Sequence, residues 1–287
     1  MEDLQNWYVE SNSSESPIDA QIAKIRYLIK NFTESTNHID DIFRKSTVPI
    51  TFVNQDGSCF LNFGVTALMQ TPQLEVYMRS IDEKKNKEFL TALNNLLALK
   101  SKDEKVLSLV EFRRALGENL EYSMGGNPGH AINFIFKMIP SLYEDTLFLE
   151  YNPFDVVGGY LRGEVETGLN KKHLKNISVK DFVKKASASV YHNQSFIVVT
   201  LPIFTKITDY PFELRLANPE NPKKYVVYDL KITSHSTESH GISRVLIDKS
   251  WFEVNNHISF PVFFHSRPLK KVLFEPGTIG LIYHKRT

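Results

Sequence analysis

The spacing of hydrophobic residues along the chain changes near residue 145. From Phe60 to about residue 144, apolar residues recur at the three- and four-residue spacing of amphipathic helices. Beyond residue 145 they form short segments rich in Val, Ile, Tyr, Phe and Thr, which is typical of strands. Helices first and strands afterwards predict an α+β fold rather than alternating βαβ units.

The pattern predicts these elements in detail. Helices are expected at residues 60–69, 74–81, 83–100, 103–116 and 130–139, and strands at 147–151, 196–204, 212–216, 225–234, 243–248, 250–254 and 278–283. One helix, residues 178–188, interrupts the strands, with Ser178 as its N-cap. Residues 1–47 are predicted to be an N-terminal extension with an amphipathic helix over about 17–32, and residues 48–287 the main domain.

Composition narrows the functional classes. The net charge of +1 is spread along 287 residues, so binding to nucleic acid or a membrane surface is not expected. One cysteine excludes an internal disulfide framework and a cysteine-based zinc site. No apolar run reaches transmembrane length, and the polar, acidic N-terminus is unlike a signal peptide, so the expected location is the cytoplasm.

The only cysteine, Cys59, follows a polar turn and opens an apolar helical run. A helix N-terminus carries unpaired backbone N–H groups and the positive end of the helix dipole, which favour a thiolate. Because the thiolate is the reactive species, this position indicates a nucleophile. The alternative is a buried structural cysteine, the commoner state of a lone cysteine.

A thiolate mechanism needs a base and a group that orients the base. His240 lies in a polar stretch, residues 233–241, which is predicted to be a loop between two strands. A strand that ends in Asn255 and Asn256 follows. This layout predicts a histidine and an asparagine on adjacent strands of an antiparallel sheet. Taken alone, His240 is more simply interpreted as a surface loop residue.

Several segments, in the right order and spacing, resemble the ubiquitin-specific proteases, a family of papain-like cysteine deubiquitinases. Asn54-x-x-x-x-Cys59-Phe60-Leu61-Asn62 resembles the family's cysteine box, and residues 225–240 are similar to the strand and loop that bear its histidine. Residues 251–256 resemble its Trp-aromatic-x-Phe-Asp-Asp strand. Residues 196–204 and 280–286 resemble two further strands, and residues 129–134 are a degraded match to Gln-Asp-Ala-x-Glu-Phe.

The resemblance implies a papain-like fold, with a helical thumb over residues 48–144 followed by reduced fingers and an antiparallel β palm over 145–287. It implies no metal or cofactor, and ubiquitin or a ubiquitin-like protein, with its conjugates, as partner. The site residues that it implies are Cys59 as nucleophile, His240 as general base, Asn255 as the group that orients His240, Asn54 as oxyanion donor, Asn256 as a polarising neighbour, and His235 near the substrate's C-terminal tail.

The sequence also departs from the family pattern. Ser239 precedes His240 and Gly241 follows it, where the family has Gly and an aromatic residue. His130 and Asn133 replace the acidic residues of the Gln-Asp-Ala-x-Glu-Phe box, which puts the usual contacts to the substrate tail in doubt. The zinc-ribbon fingers are missing, and residues 145–195 replace a longer insertion, so a grip on the globular body of ubiquitin is lost.

The sequence is compatible with four functions. The favoured one is a thiol isopeptidase that acts on ubiquitin, in host cytoplasm if the chain comes from a virus or intracellular pathogen. The others are a protease for another ubiquitin-like modifier, a catalytically inactive ubiquitin-binding scaffold, and a papain-like protease or transferase acting on another peptide bond. The intact set of Cys59, His240, Asn255 and Asn54 favours an enzyme over a scaffold.

Overall fold

The computed structural model describes residues 51–53, 58–101, 106–117, 128–151, 176–188, 190–202, 205–236, 240–255, 258–262 and 268–286. Internal contacts divide the chain into two units, Met1–Thr47 and Val48–Thr287, and every described residue belongs to the second. The helix predicted near residues 17–32 therefore lies outside the described residues, as do Asn54 and Asn256.

Helices dominate the described chain up to residue 144, as the hydrophobic pattern predicts. They are α1 (Leu61–Gln70), α2 (Leu74–Met78), α3 (Lys87–Ser101), α4 (Val110–Leu116), α5 (Pro128–Lys137) and α6 (Pro140–Glu144). A 3-10 turn, Ser58–Phe60, leads into α1. Every residue from Leu61 to Met69 is buried, so α1 is enclosed on all sides. No described helix has the length and apolar character needed to cross a bilayer.

The prediction of one helix over residues 103–116 was wrong in its first part. β2 (Val106–Ser108) pairs in parallel with β1 (Thr51–Val53), and α4 begins only at Val110. A short apolar segment fits either a strand or a helix, and here pairing with a segment distant in sequence decides.

The second half forms a mostly antiparallel sheet of eight strands: β3 (Thr146–Glu150), β5 (Phe196–Thr200), β7 (Glu213–Asn218), β8 (Asn221–Ser236), β9 (Gly241–Ile247), β10 (Ser250–Asn255), β11 (Ile258–Pro261) and β12 (Thr278–Lys285). Their order is β11-β10-β9-β8-β12-β5-β3, with β7 paired to β8. β4 (Asn176–Ile177) and β6 (Lys206–Ile207) form a separate parallel pair. The fold is thus mixed α and β, with a palm-like sheet after the helices.

The sheet differs from the predicted antiparallel palm at one edge, where β3 and β5 run parallel. The long connection between them contains α7 (Val179–Ser187), and a crossover of that kind permits parallel pairing. Ser178 caps α7 as predicted, because its hydroxyl accepts a hydrogen bond from the backbone N–H of Asp181 at 3.3 Å. A short helix that the pattern missed, α8 (Leu269–Leu273), lies between β11 and β12.

Two hydrophobic clusters hold these layers together. One joins the helices to the face of the sheet that carries Ile232, Val245, Phe252 and Val254. The other packs β3, β5, β7, β8 and β12 against side chains of α7 and α8. The cysteine turn at the start of α1 consequently lies at the junction of helices and sheet, since α1 contacts both α5 and β9.

Candidate active site

Cys59 occupies the middle of the 3-10 turn that leads directly into α1. The residue is partly exposed rather than buried. The first turn of α1 contains no acidic residue that would oppose an anion at this end of the helix. The position therefore suits a reactive thiol better than a buried structural one.

His240 and Asn255 form a hydrogen-bonded pair. His240 directly precedes β9 and Asn255 ends β10, and these two strands pair in antiparallel register. Nε2 of His240 lies 2.7 Å from Oδ1 of Asn255. An amide oxygen only accepts, so Nε2 carries the ring proton and Nδ1 is the nitrogen that can accept one. An imidazole in this tautomer can act as a general base through Nδ1.

Gly241 connects this pair to the cysteine. An ideal Cβ built on Gly241 would stand 3.4 Å from the carbonyl oxygen of Cys59, at van der Waals distance. The residue that follows His240 therefore lies against the backbone of residue 59. The structure therefore places the hydrogen-bonded pair His240 and Asn255 next to the backbone of Cys59, where the cysteine turn and α1 meet β9.

Two other glycines set the position of α1. A Cβ on Gly64 would stand 2.6 Å from Cδ1 of Ile135 and 3.3 Å from the backbone Cα of Ile132, both in α5. A Cβ on Gly280 of β12 would stand 2.5 Å from ring atoms of Phe63. Since neither position has room for a methyl group, α1 is held closely between α5 and the sheet. The sequence analysis did not single out Gly64 or Gly280.

His235 differs from its predicted setting. Residues 233–236 continue β8 rather than forming a loop, and β8 pairs with β9 as far as Ser236 and Gly241. The His235 side chain is 4% exposed and contacts Arg244, Thr233 and Thr278. A contact between His235 and the substrate tail stays a prediction. In the structure the buried His235 side chain instead hydrogen-bonds to other residues of the sheet.

The remaining predicted positions fall partly outside the described residues. Asn54 and Asn256 are not described, and of His130 only its place in α5 is described. Oδ1 of Asn133 is buried and has no hydrogen-bond partner among the described residues. In the described part of the chain, no group of three or more His, Cys, Asp or Glu side chains could hold a metal ion.

Burial perturbs ionisable groups that support the sheet. The hydroxyl of Tyr77 in α2 donates to the Asp145 carboxylate at 2.7 Å, and burial together with that carboxylate raises the pKa of Tyr77 to about 12. Burial, reinforced by the positive charge of Lys231, lowers the pKa of His284 to about 4. Both groups are therefore neutral at pH 7, which suits their positions at the junction of helices and sheet.

The chain is similar to known proteins in its structure but not in its sequence. No protein-family model and no curated protein sequence matches the chain. Solved structures do match. One is the crystal structure of an essential yeast splicing factor, with a TM-score of 0.55 and 15% identity over 83% of this chain and 69% of that chain. The chain shares its fold.

Two further matches are structures of the SAGA Ubp8/Sgf11/Sus1/Sgf73 DUB module. The one bound to ubiquitin aldehyde has a TM-score of 0.52 and 14% identity over 90% of this chain and 75% of that chain. The other has a TM-score of 0.53 and 13% identity over 90% and 74%. These likenesses support a fold of the ubiquitin-specific protease type.

Proposed function

We propose that the chain is a cysteine-type deubiquitinase, which hydrolyses the peptide or isopeptide bond after the C-terminal glycine of ubiquitin. The observation that carries the proposal is the 2.7 Å hydrogen bond between His240 and Asn255. Gly241, the residue after His240, lies against the backbone of Cys59. The fold shared with DUB-module structures agrees with it.

In the proposed reaction the Cys59 thiol gives its proton to Nδ1 of His240, and the thiolate attacks the carbonyl carbon of the terminal glycine. The tetrahedral oxyanion collapses and expels the amine, which takes the proton from His240. This leaves a thioester between Cys59 and ubiquitin. His240 then removes a proton from water, whose oxygen attacks the thioester carbon. The tetrahedral intermediate expels the Cys59 thiolate, which takes the proton back from His240, and ubiquitin is released with a free C-terminal carboxylate.

Asn255 orients the imidazole in this scheme. Its amide oxygen holds Nε2–H at 2.7 Å and so directs Nδ1 toward the reaction. An amide adds no negative charge, so the imidazolium is stabilised less than it would be by an aspartate. The resemblance assigns oxyanion stabilisation to the Asn54 amide, and loss of one such donor typically costs about 10²–10³-fold in rate. Asn256 as polarising neighbour and His235 beside the tail belong to the same proposal.

The proposal is tested by turnover of ubiquitin that carries a fluorogenic amide at its C-terminus. We expect release of the fluorophore by the wild-type protein, and none by Cys59→Ala, which removes the nucleophile but little volume. His240→Gln, which cannot act as a base, is expected to behave like Cys59→Ala. Equal rates for wild type and Cys59→Ala would refute a thiol mechanism.

A second candidate function is an inactive ubiquitin-binding scaffold. One observation favours it: a neighbour with the same fold is described as a splicing factor, so this fold alone does not imply hydrolysis. Binding of ubiquitin without turnover would support the scaffold. Turnover of another ubiquitin-like modifier such as SUMO, but not of ubiquitin, would keep the chemistry and change the substrate.

A further inference from the structure

A buried arginine lies beside the proposed active site. Arg244 of β9 is only 2% exposed, although its guanidinium is charged. Its four contacts are Nε to Glu253 Oε2 at 2.8 Å, Nη1 to His235 Nε2 at 2.7 Å, Nη1 to the Val272 carbonyl at 2.6 Å, and Nη2 to Glu275 Oε1 at 2.7 Å. Burying a charge is unfavourable until it is paired, and an apolar side chain of similar volume would often stabilise the fold as well.

The partners of Arg244 come from elements on both sides of β9. Glu253 belongs to β10, His235 to β8, and the Val272 carbonyl to α8. A guanidinium is planar and presents its N–H groups in fixed directions, so four simultaneous contacts leave it one position. The arginine thus fixes β8, β9, β10 and α8 to one another at this end of the sheet.

His235 is held in one tautomer by the same contacts. A guanidinium has no acceptor, so Nε2 of His235 accepts from Arg244 and the ring proton resides on Nδ1. Nδ1 lies 3.1 Å from the hydroxyl of Thr278 in β12 and 3.7 Å from the Glu275 carboxylate. The Thr278 hydroxyl donates in turn to the Glu275 carbonyl at 2.8 Å. The network therefore reaches β12 as well.

Strand register relates this network to the catalytic pair. Glu253 is directly opposite Arg244 across β9 and β10, and Asn255 is two residues beyond Glu253 on the same strand. Residues two apart on a strand share a face and stand about 7 Å apart. The Arg244–Glu253 ion pair therefore lies on the same face of the sheet as Asn255 and is its nearest neighbour on that face along β10. Asn255 is the residue that holds His240.

We propose that Arg244 is a positioning residue, which with Glu253 fixes the ends of β9 and β10 so that Asn255 holds His240 in the orientation needed to activate Cys59. This inference rests on the proposed thiol chemistry, because the orientation of His240 matters for function only if Cys59 is a nucleophile. The apolar face of these strands is already packed by Val245 and Phe252, so the polar network adds orientation to a sheet that is otherwise held together.

Two variants test the proposal. Arg244→Lys keeps the charge but loses the planar fork, and Glu253→Gln keeps the volume and an acceptor but loses the charge. The matched control is Arg286→Lys, because Arg286 also pairs with two carboxylates, Asp229 and Glu213, but its side chain is 49% exposed. Urea unfolding first establishes that each variant is folded at the assay temperature. If Arg244→Lys does not fold, Glu253→Gln decides.

The first readout is the rate at which chloroacetamide alkylates Cys59 as a function of pH. Cys59 is the only cysteine, so the reaction reports on this thiol alone and needs no ubiquitin. The second readout is kcat and KM on the ubiquitin fluorogenic amide. We expect both variants to shift the pH dependence of alkylation and to lower kcat by about 10- to 100-fold, with KM within about twofold. Arg286→Lys should match the wild type in both.

The outcomes separate the two proposals. Variants that are less stable but keep the wild-type alkylation profile and kcat would overturn the positioning role and leave a structural one. A wild-type alkylation profile indistinguishable from that of a free thiol would also overturn it. If the variants shift the alkylation profile while no protein turns over ubiquitin, the positioning role is supported and the proposed substrate is rejected.

Discussion

Replacing Gly280 by alanine tests whether the sheet sets the position of the cysteine helix. The added Cβ would stand 2.5 Å from Cε1 and Cζ of Phe63, whereas carbon atoms pack best at about 3.5–4.0 Å. The ring is 1% exposed and so has little free space to turn into, and we therefore expect α1 and β12 to separate by up to about 1 Å. The φ angle of Gly280 is not positive, so the alanine adds no backbone strain.

Overpacking of this kind costs about 1–3 kcal/mol, which urea unfolding measures as a lower free energy of unfolding. Phe63 lies four positions after Cys59, so the shift should also move the thiol relative to His240. In the Gly280→Ala variant we therefore expect the rate at which chloroacetamide alkylates Cys59 to depend on pH differently from the wild type. A displacement of about 1 Å in a site can cost 10²-fold in rate.

A double-mutant cycle isolates the contact. Phe63→Leu removes the ring edge that the new methyl group meets, so it should recover part of the stability and the alkylation profile in the Gly280→Ala background. A coupling free energy of about 1 kcal/mol or more is expected. Additive effects of the two substitutions would refute the close packing of α1 on β12.

Three further predictions concern single side chains. Asn62 is 1% exposed, and neither atom of its amide hydrogen-bonds to any described residue. In urea unfolding, Asn62→Leu should therefore raise the free energy of unfolding by about 1–2 kcal/mol. A decrease would show that the amide is hydrogen-bonded in solution. In the folded protein His284, with a pKa of about 4, stays largely neutral down to about pH 5, whereas the unfolded chain takes up the proton near the ordinary pKa of 6.5. Stability should therefore fall by about 2.5 kcal/mol as the pH drops from 6.5 to 4. His284→Phe should lack that loss in urea titrations across this range. Asn255→Ala should lower kcat on a ubiquitin fluorogenic amide by about 10- to 100-fold with little change in KM, whereas an unchanged kcat would remove Asn255 from the mechanism.

The sequence was most informative where an element is long and periodic. Strands such as β8, β9 and β12 are rich in β-branched and aromatic residues, and the structure contains them close to their predicted positions. α1 was equally clear, because its apolar run begins directly after a polar turn. β2 was missed because three residues carry no period, and only pairing with β1 makes them a strand.

The site was predictable in part for a physical reason. His240 and Asn255 lie together because His240 directly precedes β9 and Asn255 ends β10, and these two strands form one hairpin, an arrangement that spacing along the chain can indicate. The buried network around Arg244 was not predictable. Arg244, His235 and Glu275 each look like solvated residues in the sequence, and they meet only through the register of four strands and the position of α8.

The prediction that residues 233–241 form a loop was wrong at residues 233–236 and at Gly241, which lie in β8 and β9, for a related cause. A polar run favours a loop when its side chains face water. Here Thr233 and His235 are buried and hydrogen-bonded inside the sheet, so β8 continues to Ser236 and the connection to β9 begins only after it. Burial of a paired polar side chain is not visible in the sequence alone.

The most direct test of the central claim is covalent capture with ubiquitin that carries an electrophile at its C-terminus, analysed by intact mass. The account predicts one ubiquitin added to the wild-type protein at Cys59, no addition to Cys59→Ala, and slower addition to Asn255→Ala. Absence of any adduct with ubiquitin or ubiquitin-like probes, from a protein whose Cys59 still reacts with chloroacetamide, would contradict it.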